Sequence, residues 1–312
     1  MNQTSSALNE QSEFIEMCRP APDAGSQGLR VKCPAKINLT LEILSRRPDG
    51  FHDIQSVMQT IDLFDFLTIT VGHSENFEIK LSGTSDEIPY NEKNLVHKAI
   101  LLFVERTNLT PHKIEIHIEK NIPISAGLAG GSTDAAGTLW GLNKLFDNVL
   151  TKEELHALCA KLGSDLNFCL EGGCQLATGR GEILKKLPFC KFRISLIKPK
   201  HLGISAKEAY TKFSELENKP NLNNTKKMVE LLESNSCDSE KIKELLHNDL
   251  EIAVFQDYEE LQQIKKAYPN AIMSGSGSTY FIVEQKDLKP MDKEFWIKTG
   301  LSTINYGVFE DN

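Results

Sequence analysis

From residue 29 onward, apolar and polar positions alternate with a period of two. Val31 and Cys33 open the pattern. Ile37, Leu39, Leu41 and Ile43 continue it against Lys36, Asn38, Thr40 and Glu42, which predicts a half-buried strand with Lys36 and Asn38 on one face. Arg46-Arg47-Pro48-Asp49-Gly50 predicts a turn, followed by a strand from Phe51 through Val57. The alternation returns at Leu67–Val71, Phe77–Leu81 and Ile114–Ile118. Helical spacing takes over from Asn94 to Thr107, from Ala135 to Phe146, and after Thr151, where Thr151-Lys152-Glu153-Glu154 is a capping box and Gly163 a stop. Farther on, the pattern predicts a strand over Phe192–Ile197, helices over 226–232, 241–254 and 258–268, and a strand over Tyr280–Val283.

With 312 residues, 40% hydrophobic and 25% charged, the chain has the composition of a globular protein of about two domains. Residues 1–28 are polar, carry Pro20 and Pro22, and lack the apolar stretch of a signal peptide. They are expected to form a disordered extension, followed by one domain over 29–187 and a second over 188–312, where longer charged helices set in. A net charge of −8 argues against a nucleic-acid surface. The sequence has no run of about 18 apolar residues, so no membrane span is expected. Its seven cysteines form no C-x-x-C pair, which predicts reduced thiols, a cytoplasmic setting and no zinc site. A monomer or weak homodimer is expected.

The most informative stretch joins the strand at 114–118 to the helix after 135. It reads Pro123-Ile124-Ser125-Ala126-Gly127-Leu128-Ala129-Gly130-Gly131-Ser132-Thr133-Asp134. Three glycines let backbone N–H groups converge, and a helix N-terminus capped by Ser132 or Thr133 adds donors and a positive dipole end. Together these make a phosphate cradle. The loop lacks the Gly-Lys-Ser/Thr of a P-loop and the G-x-G-x-x-G of a dinucleotide fold, and a loop of this kind taken alone is more often a plain connection. Locally, Lys36 reads as a solvated lysine, Asp165 as a helix cap, and Phe51-His52 as a turn anchor beside an exposed imidazole.

Four motifs in order change that balance: Pro34-Ala35-Lys36-Ile37-Asn38-Leu39, Asp49-Gly50-Phe51-His52, Gly127–Ala136 and Leu162-Gly163-Ser164-Asp165. With Ser274-Gly275-Ser276-Gly277-Ser278 near the end, the chain resembles the GHMP kinases over roughly residues 29–284. It is most similar to the branch that phosphorylates the 2-hydroxyl of a cytidyl-diphosphate-linked methylerythritol in non-mevalonate isoprenoid synthesis. Ala129 stands where that branch usually has glycine and is expected to keep negative φ. The resemblance implies a two-domain α+β fold. Its N-terminal domain is like ribosomal protein S5 domain 2, its C-terminal domain is a ferredoxin-like sandwich, and the active site lies in the cleft between them. It implies ATP as donor, with Mg²⁺ assisted by Ser132 or Thr133. It further implies a nucleotide site formed by residues 123–134 with Lys120, Asn94, Leu95 and Val96. Asp165 is then the catalytic base and Lys36 its partner at the emerging alkoxide. Asn38 meets the sugar alcohol, His52 the cytosine edge, and Phe51 and Tyr210 its two faces.

Overall fold

The computed structural model describes residues 27–109, 112–220, 222–284, 288 and 291–311. The extension expected over 1–28 therefore lies almost wholly outside the described residues.

The opening strands are longer than expected. β1 (Gln27–Arg46) and β2 (His52–His73) form one antiparallel hairpin closed by the turn between Arg47 and Phe51. Register shifts fall between Pro34 and Ala35, Asn38 and Thr40, and Ile43 and Ser45. An extra residue in one strand bends it and re-aims the side chains beyond; Lys36 and Asn38 lie between the first two shifts. The chain continues through β3 (Glu78–Gly83), α1 (Leu95–Thr107), β4 (His112–Glu119), α2 (Gly130–Leu145), α3 (Lys152–Leu162), α4 (Leu166–Glu171), β5 (Cys174–Gly179) and β6 (Ile183–Lys186). Asn94 caps α1 by accepting from Val96 N at 2.9 Å, and the Thr151–Glu154 capping box forms as its sequence requires.

The second part begins with β7 (Arg193–Pro199) and α5 (Ala206–Glu215), then α6 (Asn224–Glu233), α7 (Ser239–Leu245), β8 (His247–Asn248), α8 (Asp249–Val254) and α9 (Glu259–Ala267). It ends with β9 (Ile272–Met273), β10 (Tyr280–Val283), β11 (Phe295–Ser302) and β12 (Phe309–Glu310). One sheet runs β12-β1-β2-β4-β3, with β8 parallel to β1 and β5–β6 attached through β2; the other runs β11-β7-β10-β9. The single helix expected over 241–254 is thus two, because His247 and Asn248 leave helical geometry to pair with Thr40 and Leu41. Asp249 Oδ2 then accepts from Ile43 N at 2.7 Å, which fixes the break.

One half of the hairpin packs Val31, Leu67 and Ile69, with Ile114 and Ile116 of β4, against Ile100, Phe103, Leu139 and Leu142. The other half packs Ile37, Leu39, Val57 and Ile61 with Leu196, Phe281, Met228 and Leu232 of the second part. Both faces of β1 are therefore covered there. Lys36, Asn38, Thr40 and Glu42 are buried, and the expected half-exposed strand is corrected by the packing of α6 and β8 against it. The reduced-thiol expectation is also corrected. Cys190 and Cys237 form a disulfide across 47 positions, while Cys33, Cys159, Cys169 and Cys174 are free and buried. A pairing this distant leaves no local motif. Among the described residues no helix is long and apolar enough to cross a membrane.

Candidate active site

Two glycine loops, one from each part of the chain, interlock beneath β1. Gly127 has φ +72°, and a Cβ there would lie 1.9 Å from the Ser274 carbonyl oxygen. Only glycine permits this approach, in a backbone region that residues with a Cβ enter at a cost. Ser274 Oγ donates to Gly127 O at 3.0 Å, and Thr279 N to Ala126 O at 3.3 Å.

The start of α2 departs from expectation. Its cap is Ala129, at φ 60° and ψ 28°, with no side-chain cap; neither Ser132 nor Thr133 fills that role. Ala129 thus adopts the left-handed geometry that glycine takes readily, at some backbone strain. Without a capping side chain, the first-turn N–H groups remain available as donors. Residues 123–132 with Asn94, Leu95, Lys120 and Asp134 line a pocket of ≈ 340 Å³. Val96, expected among them, is buried in the core behind Leu95. Thr133 is fully buried as well, whereas Ser132 is partly exposed.

Lys120 and Asp134 line this pocket, and behind them lies the fully buried Asp65, which reads in the sequence as an ordinary strand acid. Lys120 Nζ sits 2.5 Å from Asp65 and 2.8 Å from Asp134. Asp65 Oδ1 also accepts from the N–H groups of Asn121 (2.6 Å) and Ile122 (2.8 Å), so it holds the end of β4 where the loop begins. Burial disfavours charge on Lys120, but the two carboxylates outweigh it and raise its pKa. Burial, reinforced by the charge of Asp65, pushes the Asp134 carboxyl up to about 8. One lysine faces two carboxylates, and the balance falls on the Asp134 carboxyl.

On the other side of Ser132 opens a larger cleft of ≈ 820 Å³ lined by Lys36, Asn38, Phe51, His52, Asp165 and Tyr210. It brings together all six residues expected to touch or transform substrate. Lys36 Nζ is 3.7 Å from Asp165 Oδ2 and donates to Asn38 Oδ1 at 2.7 Å. Asn38 Nδ2 donates to Ser56 Oγ at 2.8 Å, and Ser56 to Thr40 O at 2.6 Å. That chain fixes the amide orientation and aims the ammonium. Asp165 occupies the cap position of α4, yet its side chain makes no capping hydrogen bond and is 32% exposed. Its carboxylate is free for the cleft.

At the mouth, His52 stacks on Tyr210 (centroids 5.2 Å, interplanar angle 17°), and its Nε2 meets Ser214 Oγ at 3.0 Å. Phe51 is half exposed, with the Arg180 guanidinium 5.0 Å above its ring. His52 and Phe51 each have a ring partner at the mouth, and Tyr210 also packs against the core of the second part. Arg180, in the β5–β6 turn, was not singled out from sequence, although Thr178-Gly179-Arg180-Gly181-Glu182 reads as a turn. Gly181 places that turn against the far wall: a Cβ there would be 3.6 Å from both Ser164 and Ile54. Arg46 and Lys207 add further positive charge to the cleft.

The profile of the GHMP kinases N terminal domain matches residues 94–173. Solved structures agree in fold. A 4-(cytidine 5′-diphospho)-2C-methyl-D-erythritol kinase superposes with TM-score 0.67 at 28% identity, covering 89% of this chain and all of that one. A homoserine kinase from Cytophaga hutchinsonii gives TM-score 0.71 at 19% identity, covering 94% of this chain and 99% of that one, a likeness of fold alone. In sequence, the 4-diphosphocytidyl-2-C-methyl-D-erythritol kinase of Caldanaerobacter subterraneus is 42% identical over 81% of this chain and 87% of its own length. The enzyme of that name from Bacillus cereus is 41% identical over 81% and 87%. Identity of this extent over nearly the whole of those relatives, on a shared fold, means that the chain belongs to the 4-diphosphocytidyl-2-C-methyl-D-erythritol kinases, within the GHMP kinases.

Proposed function

We propose that this chain transfers the γ-phosphoryl group of ATP to the 2-hydroxyl of 4-diphosphocytidyl-2-C-methyl-D-erythritol, giving the 2-phosphate and ADP. The observation that carries the reading is the position of Ser132. It lines both the glycine-loop pocket and the larger cleft, so donor and acceptor sites meet where the Lys36–Asp165 pair faces the cleft. Phosphoryl transfer demands position and charge stabilisation more than covalent chemistry.

In this reading the loop N–H groups and the N-terminus of α2 receive the triphosphate. A helix terminus contributes roughly 0.3–1 kcal/mol per exposed charge, too little by itself to hold so much negative charge. Mg²⁺ bound to the triphosphate supplies the remaining neutralisation. The donor set fits an ion carried by the nucleotide. Among the described residues no group of three His, Cys, Asp or Glu side chains could hold one alone, and of the two hydroxyls considered, Ser132 is partly exposed where the two pockets meet and Thr133 is buried. Asp165 accepts the proton of the tertiary alcohol as its oxygen meets phosphorus. Lys36, oriented through Asn38, offsets the charge that develops on that oxygen. Phe51, His52 and Tyr210 take the cytosine, and Arg180, Arg46 and Lys207 supply positive charge along the route its diphosphate must follow.

We assign residues 29–187 to the nucleotide-binding domain and 188–312 to the second domain; the sheet β11-β7-β10-β9 lies wholly in the second segment, while β8 and β12 of that segment join the larger sheet.

The test is ADP release from Mg-ATP with the cytidyl substrate, run beside mevalonate and homoserine. Turnover confined to the cytidyl substrate is expected. Turnover of either other alcohol in its place overturns the reading.

A further inference from the structure

His52 carries more information than its place in the cleft. Ser214, on α5, has one hydroxyl proton, and it donates that proton to Tyr210 O at 2.9 Å, one helical turn back. The oxygen that meets His52 Nε2 at 3.0 Å must then act as acceptor. A hydroxyl with its proton committed leaves only its lone pairs to a second partner. Nε2 therefore carries the imidazole proton. Nδ1 has no hydrogen bond among the described residues and is not sealed in the core. In the neutral ring it is the acceptor, on a side chain that lines the cleft. Burial, with Arg46 and Lys219 nearby, lowers the His52 pKa and favours that neutral form. The stack on Tyr210 fixes the plane of the ring.

A ring held this way distinguishes two bases of nearly equal shape. Cytosine presents an exocyclic amino donor where uracil presents a carbonyl acceptor. An imidazole offering a lone pair matches the first and opposes the second. We propose that Ser214 is a positioning residue that fixes His52 in its Nε2–H tautomer, so that the cleft selects a cytidine-linked diphosphate over its uridine counterpart. This rests on the reading of the cleft as the cytidyl site. A site built to meet a polar group rejects an analogue that leaves the group unmatched far better than one that judges by size.

The experiment pairs a spectroscopic with a kinetic readout. In ¹⁵N-histidine-labelled protein, with His52→Gln used to assign the signal, two-dimensional ¹H–¹⁵N spectra report the tautomer directly. The wild type is expected to show Nε2 protonated and Nδ1 bare, and Ser214→Ala to show a mixture. In parallel, kcat/KM is measured for the cytidyl substrate and its uridyl analogue. Ser214→Ala is expected to lower the cytidyl-over-uridyl ratio by about tenfold or more, through KM with kcat little changed, and Ser214→Thr to restore it. A protonated Nδ1 in the wild type, or an unchanged ratio in Ser214→Ala, overturns the inference. A wild type that turns over both substrates equally places the failure earlier, in the cytidyl-site reading, and removes the inference with it.

Discussion

Lys36 and Asp165 face each other at 3.7 Å from opposite walls of the cleft, an almost buried ammonium against a carboxylate that is one-third exposed. The lysine comes from β1 between two register shifts and the aspartate from the start of α4, so the pair depends on the bend in the hairpin. Lys36→Met keeps the length and burial of the side chain and removes its charge. It should lower kcat by about 10²–10³, the usual loss when a preorganised charge-stabilising donor is deleted. KM for ATP should stay within a few-fold, as steady-state kinetics would show.

Arg180 and Phe51 act together at the mouth, the guanidinium stacked over the ring. Arg180→Gln should raise KM for the cytidyl substrate roughly tenfold, the scale of one charge-assisted hydrogen bond to phosphate, with kcat changed far less. Because the same guanidinium supports the ring, Arg180→Gln should have a smaller effect in a Phe51→Ala background. A double-mutant cycle on KM measures that coupling.

The trio of Lys120, Asp65 and Asp134 gives a stability signature that varies with pH. Asp134 titrates at about 8 in the folded chain against an ordinary 3.8. Between those values the folded chain keeps a proton that the unfolded chain has lost. Stability from this group therefore falls as pH rises through that window. Asp134→Asn removes the titration. Its Tm relative to wild type should improve steadily from about pH 5 to about pH 8.5, and parallel Tm–pH curves would refute the assignment.

Much of this site was legible in the sequence because its chemistry lies in contiguous motifs. Local pattern put Lys36 and Asn38 on one strand face and a glycine loop before a helix, while the roles of Lys36, Asn38 and Asp165 came from the resemblance that the ordered motifs carry. What stayed hidden arises from distant contacts. Asp65 is an acid in an alternating strand, and only the fold shows that it anchors Asn121 and Ile122. Arg180 reads as a turn residue until β5 and β6 bring it to Phe51. Ser214 looks like any helical serine until the ring of His52 reaches it. Helical periodicity over 241–254 was broken by β8 pairing with β1, a tertiary demand that local propensity does not record. Ala129 was expected at negative φ and adopts the opposite, because the docked loops fix the backbone there.

The account turns on Asp165 as the base that takes the alcohol's proton. The most direct measurement compares binding and turnover in Asp165→Asn, with calorimetry for the cytidyl substrate and for a nonhydrolysable ATP analogue beside kcat in the ADP-release assay. Asparagine preserves shape and removes the proton acceptor. Both ligands should bind within a few-fold of wild type while kcat falls by about 10²–10⁴, the range of general-base catalysis. A kcat near that of wild type, or loss of binding in step with turnover, would contradict it.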